Sequence, residues 1–112
     1  METLRRPLVA LLIWGEGSQI ACDNRQKEIS IREGHRDYRT GDTLVLCCDV
    51  EDWCGPKARI THVRHTVLAD IDLDEMEDDG FQTFSQLKEI LSGFYPNIHE
   101  SSEITVIRWD YL

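Results

Sequence analysis

Only one stretch of this sequence, Thr83 to Phe94, carries its apolar residues at helical spacing. Phe84, Leu87, Ile90, Leu91 and Phe94 fall on one stripe, the pattern of a helix laid on a core. Thr83 and Gln86 stand where a hydroxyl and an amide cap the first turn reciprocally, and Gly93 and Pro96 mark the stop. Every other apolar segment is short and glycine-bounded, or alternates with polar residues. Leu8 to Trp14 is a continuous apolar run ended by Gly15 and Gly17, which suits a buried strand. Arg25 to Gly34 alternates Ile29 and Ile31 with Glu28, Ser30 and Arg32. Thr43 to Val50 places Leu44, Leu46 and Cys48 on one face, and Gly55-Pro56 reads as the turn after it. Ala58 to Leu68 puts Ile60, His62, Arg64 and Thr66 opposite Val63, His65 and Val67. Ile104 to Tyr111 sets Thr105, Ile107 and Trp109 against Ile104, Val106 and Arg108. Ser18 to Asn24 is long enough for one or two helical turns, Gly34 to Gly41 is a loop, and Asp70 to Gly80 is an acidic loop with at most one helical turn. One helix and about five strands imply a mostly β (α+β) domain, a small antiparallel β-barrel or curled sheet with the helix packed on it. Closing such a sheet removes its exposed edges.

With 112 residues the chain is expected to be a single domain over residues 1–112. Its charge is lopsided. Through Ala69 ten Lys/Arg balance ten Asp/Glu; from Asp70 on, two face eleven, so the later part carries the whole net charge of -9. That excludes a general polyanion binder but leaves room for a local basic pocket, since Arg25, Lys27, Arg32, Arg36 and Arg39 lie close together. No apolar run approaches the ~18 residues of a membrane helix, so no membrane partner is expected. Arg5-Arg6 before Pro7 to Trp14 has the layout of a signal peptide, but its apolar part is minimal and fits a strand better. Cys22, Cys47, Cys48 and Cys54 match no secreted framework and read as free thiols of a cytoplasmic protein. No metal and no cofactor is expected: His62 and His65 point to opposite faces of a strand, and Cys47 and Cys54 make no CxxC pair.

Chemistry concentrates at Lys27, Ser30 and Arg32. A hydroxyl becomes a nucleophile when a neighbour takes its proton, and a lysine crowded by cations loses its own proton near neutral pH. Arg25 and Arg32 supply that crowding, and the acidic Glu75 to Asp79 segment can deliver a carboxylate for the leaving group. The plainer reading is an exposed strand whose charges pair with one another.

The run Arg25-x-Lys27-x-Ile29-Ser30-Ile31-Arg32, followed by Gly41-Asp42-Thr43-Leu44, resembles the signature of the ASCH domain family, whose fold is a PUA-like β-barrel. Arg59-Ile60-Thr61-His62-Val63, Asp79-Gly80-Phe81, Leu87 to Leu91 with Phe94-Tyr95-Pro96, and Val106 to Trp109 follow in the family's order. The resemblance spans roughly residues 8 to 110. Small members are similar to N4-acetylcytidine amidohydrolases, with a catalytic lysine, threonine and glutamate. The resemblance places these roles on Lys27, on Ser30 in place of threonine, and on Asp79 in place of glutamate. It implies a substrate pocket with Arg32, Glu28, Arg36 and Tyr38, and a small nucleoside or a short RNA as partner. Two alternatives stand beside this. One is a non-catalytic RNA- or nucleotide-binding module, with Arg32, Arg36 and Arg39 on phosphates and Tyr38 or Trp53 stacked on a base. The other is a protein-interaction factor that uses the acidic face of residues 70–79.

Overall fold

The computed structural model describes residues 9–13, 28–48 and 54–112. Within them five strands form one curled sheet in the order β1-β3-β4-β5-β2. The strands are β1 (Val9–Ile13), β2 (Ile29–Glu33), β3 (Thr43–Cys48), β4 (Cys54–Val67) and β5 (Glu103–Tyr111). All neighbours are antiparallel except β1 and β3, which run parallel. A 3-10 turn at Leu68–Asp70 leads into two helices, α1 (Leu73–Asp78) and α2 (Phe84–Phe94). Among the described residues β1 and β2 lie at the sheet's two ends and no pairing joins them, so the sheet is a half-barrel there. No helix among them is long and apolar enough to cross a membrane.

Two cores share the sheet. The inner face buries Leu44, Leu46, Ala58, Ile60, Ile107 and Trp109. The opposite face carries the helices, and there Ile29, Ile31, Ile104 and Val106 meet Met76, Leu87 and Leu91. Strand β5 serves both, because successive side chains leave it on opposite faces.

Several sequence expectations change. Gly55-Pro56 lies inside β4 rather than in a turn. Pairing of β4 with β5 starts only at Ala58, and the β3 register shifts between Val45 and Cys47, so a residue without an N–H breaks no regular ladder there. A second register shift, between Ile60 and His62, inserts one residue into β4. It puts Ile60 on the face of Val63, against the inner core, instead of on the face of His62. The acidic segment folds into a six-residue helix where at most one turn was expected. Helix α2 starts as expected: Thr83 is its N-cap and the Thr83 Oγ1 accepts from the Gln86 N–H at 3.2 Å. The Gln86 side chain reaches back one residue further than the capping box requires, accepting from the Gln82 N–H at 2.9 Å. Of the α2 stripe, Leu87 and Leu91 are buried and Phe84 packs partly, whereas Ile90 and Phe94 stay 50% and 44% exposed. A six-residue α1 and one sheet face cover only part of that stripe. The cysteine expectation falls on side chains outside the described set, as does the Ser18 to Asn24 segment.

Leu87→Ala should therefore lower unfolding free energy by about 2–5 kcal/mol, and Ile90→Ala by less than about 1 kcal/mol, read from urea denaturation. Equal losses at the two positions would mean that the exposed half of the stripe is covered in solution.

Candidate functional site

The polar side chains of β2 are positioned by its apolar ones. Ile29 and Ile31 are drawn into the helix-side core, at 1% and 5% exposed. Ser30 and Arg32 must then leave the strand on the inner face. Register across the sheet sets their neighbours. Ser30 lies opposite Ile107, which lies opposite Val63; Arg32 lies opposite Thr105, which lies opposite His65. One row is thus a hydroxyl beside apolar residues, and the next row is polar across three strands. Ser30 is buried and Arg32 half-buried.

Thr105, fully buried, ties the chain's return to this row. Its hydroxyl donates to the Gly34 carbonyl at 2.7 Å, accepts from the Arg36 N–H at 2.9 Å and sits 3.1 Å from His65 Nδ1. Gly34 is left-handed (φ 89°), a conformation that costs a side-chain-bearing residue more, and its N–H reaches the Glu103 carbonyl at 2.7 Å. The loop that follows closes at Gly41 (φ 93°) and buried Asp42, whose Oδ2 accepts from the Arg39 N–H at 3.2 Å. This is the physical content of the Gly-Asp pair noted in the sequence: a tight turn locked to Ile60 by bonds of 2.8 and 2.9 Å.

The remaining sequence candidates are dispersed. Glu28 is exposed, and its carbonyl accepts from the Trp109 N–H at 3.1 Å. Arg36 is exposed and its Nε donates to the Glu33 carbonyl at 2.6 Å. Tyr38 is half-buried against the inner core. Lys27, Arg25 and Trp53 lie outside the described residues. Asp79 is the C-cap of α1, half-buried, and its N–H donates to the Glu75 carbonyl at 3.2 Å. Met76, one turn earlier, packs with Ile29 and Ile31. Ser30 and Asp79 therefore approach β2 from different sides. His35 and Thr105 were not singled out by sequence reasoning, and His65 entered it only as a metal ligand set aside. The one signal for them was a histidine set between Val63 and Val67 on an otherwise apolar face.

Beside α1 lies a cleft of about 450 Å3, lined in part by Thr61, His62, Arg64, Asp74, Glu75 and Arg108. Arg64 forks onto buried Glu75, Nη2 to Oε1 at 2.6 Å and Nε to Oε2 at 3.0 Å. The same carboxylate accepts from the Asp72 N–H at 2.9 Å. Arg108 reaches Asp78 at 2.7 Å in a more open pair. Burial pushes the Glu75 carboxyl up, but the Arg64 fork, the Asp72 N–H and the charges of Arg64 and Arg108 outweigh it and hold it below 4.5. The fork in turn raises Arg64 further above its ordinary value. Among the described residues no group of three or more His, Cys, Asp or Glu is placed to hold a metal ion.

No protein-family model matches this chain, and no curated protein does. Solved structures do. An ASCH domain from Lactobacillus crispatus JV V101 superposes with TM-score 0.70 at 13% identity, covering 93% of this chain and 79% of that one. A DUF984 protein from Enterococcus faecalis V583 gives 0.69 at 11%, covering 97% and 83%. A variant ASCH protein from Zymomonas mobilis gives 0.67 at 10%, covering 94% and 70%. At such identities the likeness establishes the fold, an ASCH-type, PUA-like α+β fold, and leaves the chemistry to the residues.

Because the Glu75 carboxyl is held low, its ionised form contributes stability at neutral pH that is lost as pH falls below 4.5 and through its folded value. Glu75→Gln should cost about 1–3 kcal/mol at pH 7, less than for a fully buried pair because Arg64 reaches solvent. The same variant should flatten the acid limb of stability against pH. An acid limb unchanged in Glu75→Gln would assign the loss to other carboxylates.

Proposed function

We propose that this chain, with its ASCH-type fold, acts on a pyrimidine nucleoside whose amine is acylated, hydrolysing an N4-acetylcytidine-like amide. The observation that carries the reading is Ser30: a hydroxyl held at 5% exposure on strand β2, next in line to Arg32 on the same face. Ser30 Oγ attacks the acyl carbonyl while neutral Lys27 takes its proton. A backbone amide or the Arg32 guanidinium steadies the oxyanion. The C–N bond then breaks, and the amine leaves with a proton from Asp79 or from the Lys27 ammonium. Water hydrolyses the acyl-serine, so amide and water give amine and carboxylic acid. Since Asp79 comes from the helix side of the sheet, its part requires a substrate that lies across the edge of β2, an end strand among the described residues. Glu28, Arg36 and Tyr38 border that edge and the loop after it, and would orient the nucleoside. The acidic second half adds no phosphate-binding charge, which suits a nucleoside better than a long RNA.

A second reading is binding without turnover, of a nucleotide or short RNA. It is favoured by the separation of Asp79 from the Ser30 face and by the exposure of Arg36 and Arg39. There the same pocket would meet phosphates through Arg32, Arg36 and Arg39, with Tyr38 against a base.

Incubation with N4-acetylcytidine, followed chromatographically, separates the two. The hydrolase reading expects cytidine to form, and expects Ser30→Ala and Lys27→Ala each to slow it by at least ~100-fold with unchanged thermal unfolding. Unaltered turnover in both variants overturns the assignment. Saturable RNA binding with a steep salt slope and no turnover transfers the conclusion to the second reading.

A further inference from the structure

Beyond the β2 site, His35 and His65 stack with ring centroids 3.8 Å apart and planes 14° from parallel. The donor in the contact between His65 and Thr105 follows from the other bonds of that hydroxyl. The Thr105 hydroxyl has one proton, and it is donated to the Gly34 carbonyl, which can only accept. The Arg36 N–H can only donate to that hydroxyl. The third contact, at 3.1 Å, is therefore a hydrogen bond from His65 Nδ1–H to Thr105 Oγ1. The same contact fixes the ring's orientation, so the stack is built before any ligand arrives.

The two rings line a cavity of about 290 Å3 at the rim of the sheet, together with Thr66, Asp70, Glu103 and Ile104. That volume is at the lower end of small-molecule sites, roughly 300 Å3. Among the described residues the Glu103 carboxylate has no hydrogen-bond or ion-pair partner, while Asp70 makes no side-chain hydrogen bond and feels the charge of Arg64. The carboxylates of Asp70 and Glu103, two of the lining residues, make the cavity rich in acceptors. They demand a ligand rich in donors, and they repel phosphate.

We propose that this rim cavity binds a flat heterocycle bearing amino or ring N–H donors, an amino-substituted nucleobase in nucleoside form, stacked on the His35–His65 pair. Guanine offers a carboxylate two parallel N–H donors and cytosine offers an exocyclic amine, whereas uracil flanks its single N–H with carbonyls that face the acids badly. The cavity continues the inner-face row in which Arg32 and His65 flank Thr105, and its occupancy is read by binding rather than by turnover. An absence of deacetylation would therefore leave it standing.

The test is an NMR titration of the isotope-labelled full chain with guanosine, cytidine and uridine, following the His35, His65 and Glu103 signals. Guanosine and cytidine should shift them saturably, and uridine should bind at least several-fold more weakly. Exposed His35 can be changed without touching the core. His35→Ala should weaken guanosine binding by roughly 10-fold, His35→Phe should largely restore it, and Glu103→Gln should weaken it too. Equal binding of uridine, indifference to His35→Ala, or no shift with any of the three nucleosides would overturn the proposal.

Discussion

The structure depends on β5 being buried on both faces. Ile104 and Val106 close the helix-side core, while Thr105, Ile107 and Trp109 close the inner one, all of them at 2% exposure or less. A strand so placed cannot slip by one residue without exchanging its two sets of side chains, which fixes the register of both neighbours. From that register follows the placement of everything polar on the inner face. Ser30 comes to lie opposite Ile107, and Arg32 and His65 come to flank Thr105. Thr105 is the one polar residue of β5 that is completely buried, and it is tolerated because its hydroxyl is bonded to Gly34 and Arg36 as well as to His65.

Much of this was legible in the sequence because it rests on local periodicity. The alternation of β2 and β5, the N-cap at Thr83 and the Gly41-Asp42 turn are short-range facts, and the chain folds as they dictate. What was not legible is set by tertiary context. The inserted residue between Ile60 and His62 leaves no mark in a single sequence, yet it moves Ile60 to the other face. Gly55-Pro56 carries a turn signature and lies in a strand, because its neighbours there make no regular ladder. Ile90 and Phe94 belong to the apolar stripe by spacing, but a stripe says which face is apolar and not how much of it finds cover. For the site, the polar face of β2 was visible, whereas the meeting of His35, His65 and Thr105 joins residues far apart in the chain and was not.

The acidic segment shows how charge is used before it is available to a partner. As sequence, residues 70–79 are a concentration of negative charge that offers a basic partner a docking face. As structure, part of that charge is engaged by the sheet: Glu75 and Asp72 face Arg64, and Asp78 faces Arg108. The two arginines sit on β4 and β5, so the ion pairs fasten α1 over the helix-side core. Their contributions differ with burial. The Arg64–Glu75 fork is shielded and reinforced by a backbone N–H, whereas the Arg108–Asp78 pair is open to water and salt and is worth ~1 kcal/mol or less. Structural duty thus accounts for Glu75, while Asp74 and Glu77 remain at the surface.

Fold and site therefore constrain function unequally. An ASCH-type fold supplies a curled sheet with an inner face, and among the described residues that face is largely apolar, with Ser30, Arg32, His65 and Thr105 brought to it by β2, β4 and β5. A hydroxyl in such surroundings gains reactivity only if a base reaches it, the part that the proposed reading gives to Lys27. The carboxylate partner is a matter of topology instead. Asp79 is carried by α1, which Met76 anchors to the side of the sheet that Ser30 does not face. Any ligand touched by both would have to pass around β2, which among the described residues stands at one end of the sheet.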